Sequence, residues 1–292
     1  MYFFGVLLAL AAGIFFGIIG PMTKFAYNAG ATVEQAIFFR FIIASLIVLP
    51  LLPFQKNLIK NYYNNFKNFI IISIGSILLT SGLLISFTLI DVSLAVLIFC
   101  LYPIYVLLFS IFFDKEKIKL VIKLLFLTTF IGLIFVLGPS LNIPNILGII
   151  CAFIASLGSA TMIITNQKIS KKQISPIQIN IFVNFINCIF FYMILSLFFS
   201  LTVFVKLNIF ILILLPSISY SIALLSQFFA IPKIGQSNTA LFLYLEPVVG
   251  VLGAYYLLSE ELELYQIIGA LVVIISLLLA SIINNKIKNV TS

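Results

Sequence analysis

Eight acidic and sixteen basic residues are spread over 292 positions that contain no histidine. Chemistry must therefore rest on the few polar side chains inside long apolar runs. Glu246 is the sharpest of these. It lies in the middle of the run 236–258 and is followed by Pro247. A carboxyl in hydrocarbon is tolerated as the neutral acid or beside a partner. Glu246 can thus exchange a proton or hold a substrate, or it can be locked in a structural ion pair. Arg40, some six residues into the run 34–53, offers a planar fork that grips carboxylates with two hydrogen bonds. It can reach towards Glu246, bind a substrate carboxylate, or snorkel to the membrane surface. Lys24 reads as an interface anchor.

The amides form a second group. Asn180, Asn184 and Asn187 are spaced four and three apart, so they share one helix face. Such a stripe either lines a cavity or hydrogen-bonds to neighbouring helices, and a cavity is the expectation here. Gln227, Asn166 and Asn238 extend the set. Tyr102 and Tyr244, with Tyr105, Tyr192 and Tyr220, lie within apolar runs and can stack on a substrate or face a cation. Tyr2, Tyr62, Tyr63, Tyr255, Tyr256 and Tyr265 read as interface belts. Pro103 and Pro247 are candidate hinges, because proline lacks an N–H and disturbs the carbonyl one turn earlier, here Phe99 and Leu243. Gly13, Gly17 and Gly20 suit close helix approach.

Several chemistries are poorly served. Without histidine there is no H-E-x-x-H zinc site and no Ser–His dyad. Cys100, Cys151 and Cys188 stand singly in separate runs, which is neither a disulfide framework nor a metal spacing. Paired intramembrane aspartates and a phosphate-binding loop are also missing. An enzyme would have to work with one Glu and one Arg. Neither a metal nor a cofactor is expected.

The elements that position these residues follow from composition. The chain is 63% hydrophobic and 8% charged, with a mean hydropathy of +1.29; a soluble domain is about half apolar and a quarter charged. Crossing a ~30 Å hydrocarbon core takes roughly 20 apolar residues in a helix. Ten runs meet that need: 3–23, 34–53, 68–89, 92–113, 120–138, 144–166, 176–201, 207–230, 236–258 and 263–284. They do not alternate as barrel strands would. Pro50 and Pro53 close the second run, Gly138-Pro139 and Pro144 bracket a turn, and Pro176 opens the seventh. Met1 to Gly5 lacks a basic n-region, so the first span is expected to remain as an anchor.

With the N-terminus in the cytoplasm, thirteen lysines fall on the cytoplasmic side: Lys56, Lys60, Lys67, Lys115, Lys117, Lys119, Lys123, Lys168, Lys171, Lys172, Lys233, Lys286 and Lys288. Lys24 and Lys206 fall opposite. The positive-inside rule demands such a bias. It also explains the net charge of +8 without nucleic acid as a partner. The expected fold is an all-α integral membrane protein of ten transmembrane helices, with both termini cytoplasmic.

The chain also matches itself. At an offset of 144, Ser93, Pro103, Glu116 and Ile131 fall on Ser237, Pro247, Glu260 and Ile275. At an offset of 143, Gly5, Ala9 and Ala12 fall on Gly148, Ala152 and Ala155. The expected domains are therefore two five-helix repeats, 1–140 and 141–292. An odd number of spans inverts the second, an arrangement found in secondary transporters that expose a midplane site alternately. A duplicated bundle without transport is the plainer alternative.

Gly17 to Lys24, Phe39-Arg40-Phe41, and Ser93 to Ala95 running through Pro103 to Glu116 resemble the drug/metabolite transporter superfamily, specifically the EamA-type permeases. Leu245-Glu246-Pro247 followed by Glu260 and Gly269 is the strongest match. The resemblance covers nearly the whole chain. It implies a central cavity walled by spans one to four and six to nine, with spans five and ten peripheral. The fourth span carries Tyr102-Pro103 where the ninth carries Glu246-Pro247, so the halves differ chemically at mid-depth. The expected function is secondary transport of small metabolites, amino acids or similar, across the inner membrane, with export and proton coupling at Glu246. Uptake or exchange by the same fold, an intramembrane enzyme and a structural membrane protein are the alternatives. A small-molecule substrate and the lipid bilayer are the expected partners, with a homodimer left open.

The lysine distribution yields a direct test of topology. A reporter fused after Lys172 should read as cytoplasmic and one fused after Glu261 as external. Both on one side would sink the ten-span topology and the inversion together.

Overall fold

The computed structural model describes residues 2–90, 92–116, 118–138, 145–198, 206–259 and 261–291; the side chains of Val92, Phe198 and residues 284–291 are outside that description. Lys117, Pro139, Pro144 and Glu260 lie outside the described residues, as do the side chains of Lys286 and Lys288. The first five spans are α1 (Tyr2–Asn28), α2 (Val33–Val48), α3 (Leu58–Leu89), the pair α4 (Val92–Phe99) and α5 (Tyr102–Phe112), and α6 (Leu120–Leu137). The second five are α7 (Ile146–Ser170), α8 (Pro176–Phe198), α9 (Leu207–Ile234), the pair α10 (Gln236–Phe242) and α11 (Leu245–Leu258), and α12 (Leu264–Thr291). Ten helical segments are long and apolar enough to cross a membrane, and no strand occurs among the described residues. Only in a helix or a closed barrel does a chain satisfy its own backbone in hydrocarbon.

Local chemistry sets the ends. Thr32 caps α2 in a capping box: its Oγ accepts the Gln35 N–H at 3.2 Å, and Gln35 Oε1 accepts the Thr32 N–H at 3.1 Å. Pro50 does not stop the chain from coiling; the second span tightens into a 3-10 turn over Leu49–Phe54. The third helix begins ten residues before the expected start. Asn65 leaves helical geometry (φ −127°, ψ 18°), which separates a short polar turn bearing Lys60 from the apolar remainder. Gly235, at φ +84°, supplies the left-handed backbone that lets α9 turn straight into α10.

Helix packing follows a two-fold logic. Exchanging the halves swaps span one with six, three with eight, and four with nine. α1 packs along α9 and α3 along α7, and these two pairs are each other's equivalents. α2 packs on α8 and α6 on α12, and each of these pairs is its own equivalent. The matched glycines reach matched partners. A Cβ added at Gly5 would come within 2.5 Å of Ile234 Cγ2, and one at Gly148 within 2.7 Å of Ile90 Cγ2. Ile90 and Ile234 are themselves 144 residues apart, so the repeat is preserved in contact as well as in sequence.

Gly20 departs from expectation, because a Cβ there meets nothing within 4 Å; only Gly13 and Gly17 of the proposed trio face a neighbouring helix. Alanine is intrinsically better than glycine in a helix by about 1 kcal/mol. Gly20→Ala should therefore leave the melting temperature in detergent unchanged or raised. Gly5→Ala and Gly148→Ala should each lower it, as overpacking costs about 1–3 kcal/mol. If both melt as the parent does, the helices do not approach this closely.

Candidate functional site

Two spans are broken, and at an offset of 144 the breaks fall within one residue of each other. The fourth interrupts its helix at Cys100 and Leu101, the ninth at Leu243 and Tyr244, and in each a proline stands in the first turn beyond. The carbonyl that Pro247 deprives of its usual donor is that of Leu243, and the Glu246 N–H takes it at 2.9 Å. Pro103 and Pro247 are both buried, so the candidate hinges are packed rather than free in lipid.

Glu246 lies in the first turn of α11, half-buried. Its backbone carbonyl sits against α1 at Gly17, where even a methyl group would collide with it. Its carboxyl is an electrostatic neighbour of Cys100 and Tyr102. Glu246 is thus within electrostatic reach of Tyr102, the residue that replaces it in the other repeat. Tyr102 and Tyr244 are buried, the Tyr244 hydroxyl has no hydrogen-bond partner, and both rings are held by phenylalanines. Phe99 lies 5.0 Å from Tyr102 and Phe126 lies 6.3 Å from Tyr244, between ring centroids.

Arg40 belongs to a different neighbourhood. Its Cζ lies 5.7 Å from the Tyr220 ring centroid, and the groups that act on its charge are Tyr27 and Tyr220. The reach towards Glu246 is therefore not made. Tyr220 also engages Ser76, which accepts a hydrogen bond from Asn187 Nδ2 at 2.5 Å. Asn184 Nδ2 donates to the backbone carbonyl of Asn180 at 3.1 Å and to its Oδ1 at 2.7 Å. All three asparagines are fully buried, yet Asn180 Nδ2, Asn184 Oδ1 and Asn187 Oδ1 lack partners. Gln227 is buried on α9. Tyr192 is 52% exposed and faces outward. Tyr62 donates to the Gln178 carbonyl at 2.9 Å and packs on Phe69 and Phe182.

Sequence reasoning missed a polar cluster that ties the end of α5 to the start of α10. Gln236 Nε2 donates to Ser110 Oγ and to Asp114 Oδ2, each at 2.7 Å, and Ser237 Oγ lies 2.7 Å from Ser110 Oγ. Ser110, Gln236 and Ser237 are buried. Glu116 joins from beyond the helix end: its N–H donates to the Ser110 carbonyl at 2.9 Å, and its carboxyl engages Ser237 and Ser110. Burial pushes that carboxyl above the usual range, with Asp114 adding to the rise, while Lys171 and the two serines oppose it. An acid whose affinity for protons rises on clustering favours the clustered state as pH falls towards its raised value, and that advantage fades above it. The signal was present in the repeat. At an offset of 144, Gln236, Ser110 and Asp114 correspond to Val92, Ala254 and Leu258, none of which can make these bonds. The Gln236 bonds to Ser110 and Asp114 therefore have no equivalent in the other half.

Among the described residues no group of three or more His, Cys, Asp or Glu side chains is placed to hold a metal ion. No curated protein matches the chain. A solved crystal structure of a protein 13% identical in sequence superposes with a TM-score of 0.81, covering 97% of this chain and 98% of the other; at that identity the likeness concerns the fold alone. The sequence model of the EamA-like transporter family matches twice, over residues 3–138 and 146–282. These two matches coincide with the five-span halves whose helices pack as equivalents. The chain is a multi-pass membrane protein of the EamA-like transporter family.

Proposed function

We propose that this protein is a secondary transporter that carries small metabolites, amino acids or similar, outward across the inner (cytoplasmic) membrane by alternating access. The halves 1–140 and 141–292 rock against each other with both termini in the cytoplasm. One observation carries the reading: two broken helices bring Glu246 within electrostatic reach of Tyr102, its counterpart in the other half, beside side-chain hydrogen bonds that tie α5 to α10 at one face. A transporter needs a site at the crossing of its halves and closures that alternate around it. By the lysine distribution, the tied face is the cytoplasmic one.

Glu246 is the coupling residue in this reading. The helix N-terminus on which it lies favours the carboxylate, whereas surrounding hydrocarbon favours the neutral acid. Its proton therefore responds to whether water reaches the site, which changes as the halves move. A proton taken up from the outer side and released inside can drive a metabolite outward. Tyr102 offers no such exchange near neutral pH, which confines coupling to one half. Tyr244, Gln227 and the Asn180, Asn184 and Asn187 stripe supply polar contacts along the route, and Pro103 and Pro247 mark its hinges.

Substrates found by thermal-shift screening against a metabolite library provide the assay. In liposomes, Glu246→Gln should abolish accumulation driven by a pH gradient while exchange of substrate for substrate persists. A mutant that still concentrates substrate under the gradient would remove Glu246 from the coupling role. The polar tie is tested through native Cys100, which is buried. In a Cys151→Ser, Cys188→Ser background, Gln236→Leu removes the donor that Ser110 and Asp114 share, at a cost of about 1–3 kcal/mol to the closed face. Cys100 should then react faster with a small hydrophilic thiol reagent added from the cytoplasmic side. An unchanged rate would mean that the bonds do not hold that face closed.

A further inference from the structure

The start of α3, cytoplasmic by the lysine distribution, presents two exposed stripes. Residues 68–89 alone, at ~1.5 Å per residue, span the ~30 Å hydrocarbon core. Leu58 to Lys67 therefore lie at its edge and beyond, and the helix leaves regular geometry among them, at Asn65. Ile59, Tyr63 and Phe66 are 82%, 84% and 58% exposed, at a spacing that puts them on one face. Lys60, Asn64 and Lys67 repeat that spacing one residue later and are exposed as well. We propose that this stretch is a docking surface for anionic phospholipids of the cytoplasmic leaflet, whose phosphates meet the lysines while their acyl chains cover the apolar stripe.

Three observations favour a lipid occupant. First, the two stripes need different solvents. Large apolar side chains are costly in water and ammonium groups are costly in hydrocarbon; the headgroup layer serves both at once. Second, the charge is of one sign. Neither residues 54–68 nor the facing stretch 171–178 contain Asp or Glu. Lys172 adds a charge from the second half, its Nζ donating to Asn65 Oδ1 at 2.6 Å. A zwitterionic headgroup brings a cation beside its own phosphate, whereas an anionic one leaves the phosphate for lysine. A two-fold contact with a second copy through this patch would set lysine against lysine. Third, the stretch is held from behind. Asn61 Nδ2 donates to Gln178 Oε1, the Tyr62 hydroxyl to the Gln178 carbonyl, and Gln178 Nε2 to the Lys56 carbonyl, each at 2.9 Å. Folding has therefore already met much of the ordering cost that binding would incur.

The repeat separates this arrangement from a requirement of the fold. At an offset of 144, Ile59, Tyr63 and Phe66 correspond to Val203, Leu207 and Phe210, which are also apolar. Lys60 and Lys67 correspond to Phe204 and Ile211. The apolar positions are thus shared by both halves, and the basic ones belong to the first alone.

The chain contains no tryptophan, so Tyr63→Trp places a single indole in the apolar stripe. The full-length variant is reconstituted in vesicles of phosphatidylcholine and phosphatidylglycerol in equal amounts, with bromine on the acyl chains of one lipid or the other. Bromine on phosphatidylglycerol should quench the indole more strongly, which reports local enrichment of the anionic lipid. Lys60→Gln and Lys67→Gln should each lower the relative affinity for phosphatidylglycerol about fivefold, the ~1 kcal/mol that one lysine contributes near an anionic surface. Together they should abolish the preference. Lys119→Gln with Lys123→Gln removes the same charge from exposed positions on α6 and should leave the preference unchanged. Equal quenching by the two lipids, or an equal loss from the α6 pair, overturns the assignment. An indole that neither lipid quenches also overturns it, and points to a soluble acidic partner instead.

Discussion

Within hydrocarbon every backbone N–H and C=O must find a partner in the protein, because there is no water to supply one. A helix does this automatically, and breaking one strands several groups at once. This chain breaks two, at Cys100-Leu101 and Leu243-Tyr244, and the rest of the architecture accommodates that choice. Tight three-residue bonds take up the slack, from Leu101 to the Ile98 carbonyl at 3.1 Å and from Tyr244 to the Leu241 carbonyl at 3.1 Å. α1 comes close enough at Gly17 to touch the Glu246 carbonyl. Irregular backbone at membrane depth survives only inside protein or beside a water-filled cavity. The residues at the breaks are accordingly buried: Phe99, Cys100 and Tyr102 in the fourth span, and Leu241 to Tyr244 in the ninth.

The fold was largely legible because lipid leaves a chain few options. Runs of about 20 apolar residues, the punctuating prolines and the lysine distribution all lead to ten helices. The match of Gly5 with Gly148 gained structural meaning when their partners proved to be Ile234 and Ile90. Errors arose where helix and membrane do not end together. The third helix starts at Leu58 because a helix can continue into water on polar residues, which hydropathy does not register.

The candidate site was legible in its residues but not in its grouping. Glu246, Arg40 and the asparagine stripe stand out as polar groups in apolar helices, and spacing along one helix places the stripe on a face. Which helices bring which residues together depends on rotation about each axis, and that is set by packing. Arg40 therefore met Tyr220 and not Glu246. Ser110, Asp114 and Gln236 went unnoticed for a different reason. They sit near helix ends, where polar residues are ordinary, and only their mutual distances reveal them.

A duplicated chain begins with two equal faces, and its energy begins indifferent to which of them is closed. Here the two halves differ at those ends by a handful of side chains. Ser110, Asp114 and Gln236 stand at one face, with Ala254, Leu258 and Val92 at the corresponding places on the other. The tie between α5 and α10 thus rests on substitutions small enough to arise singly. Descendants of one ancestral bundle can therefore differ in which end is tied while remaining superimposable.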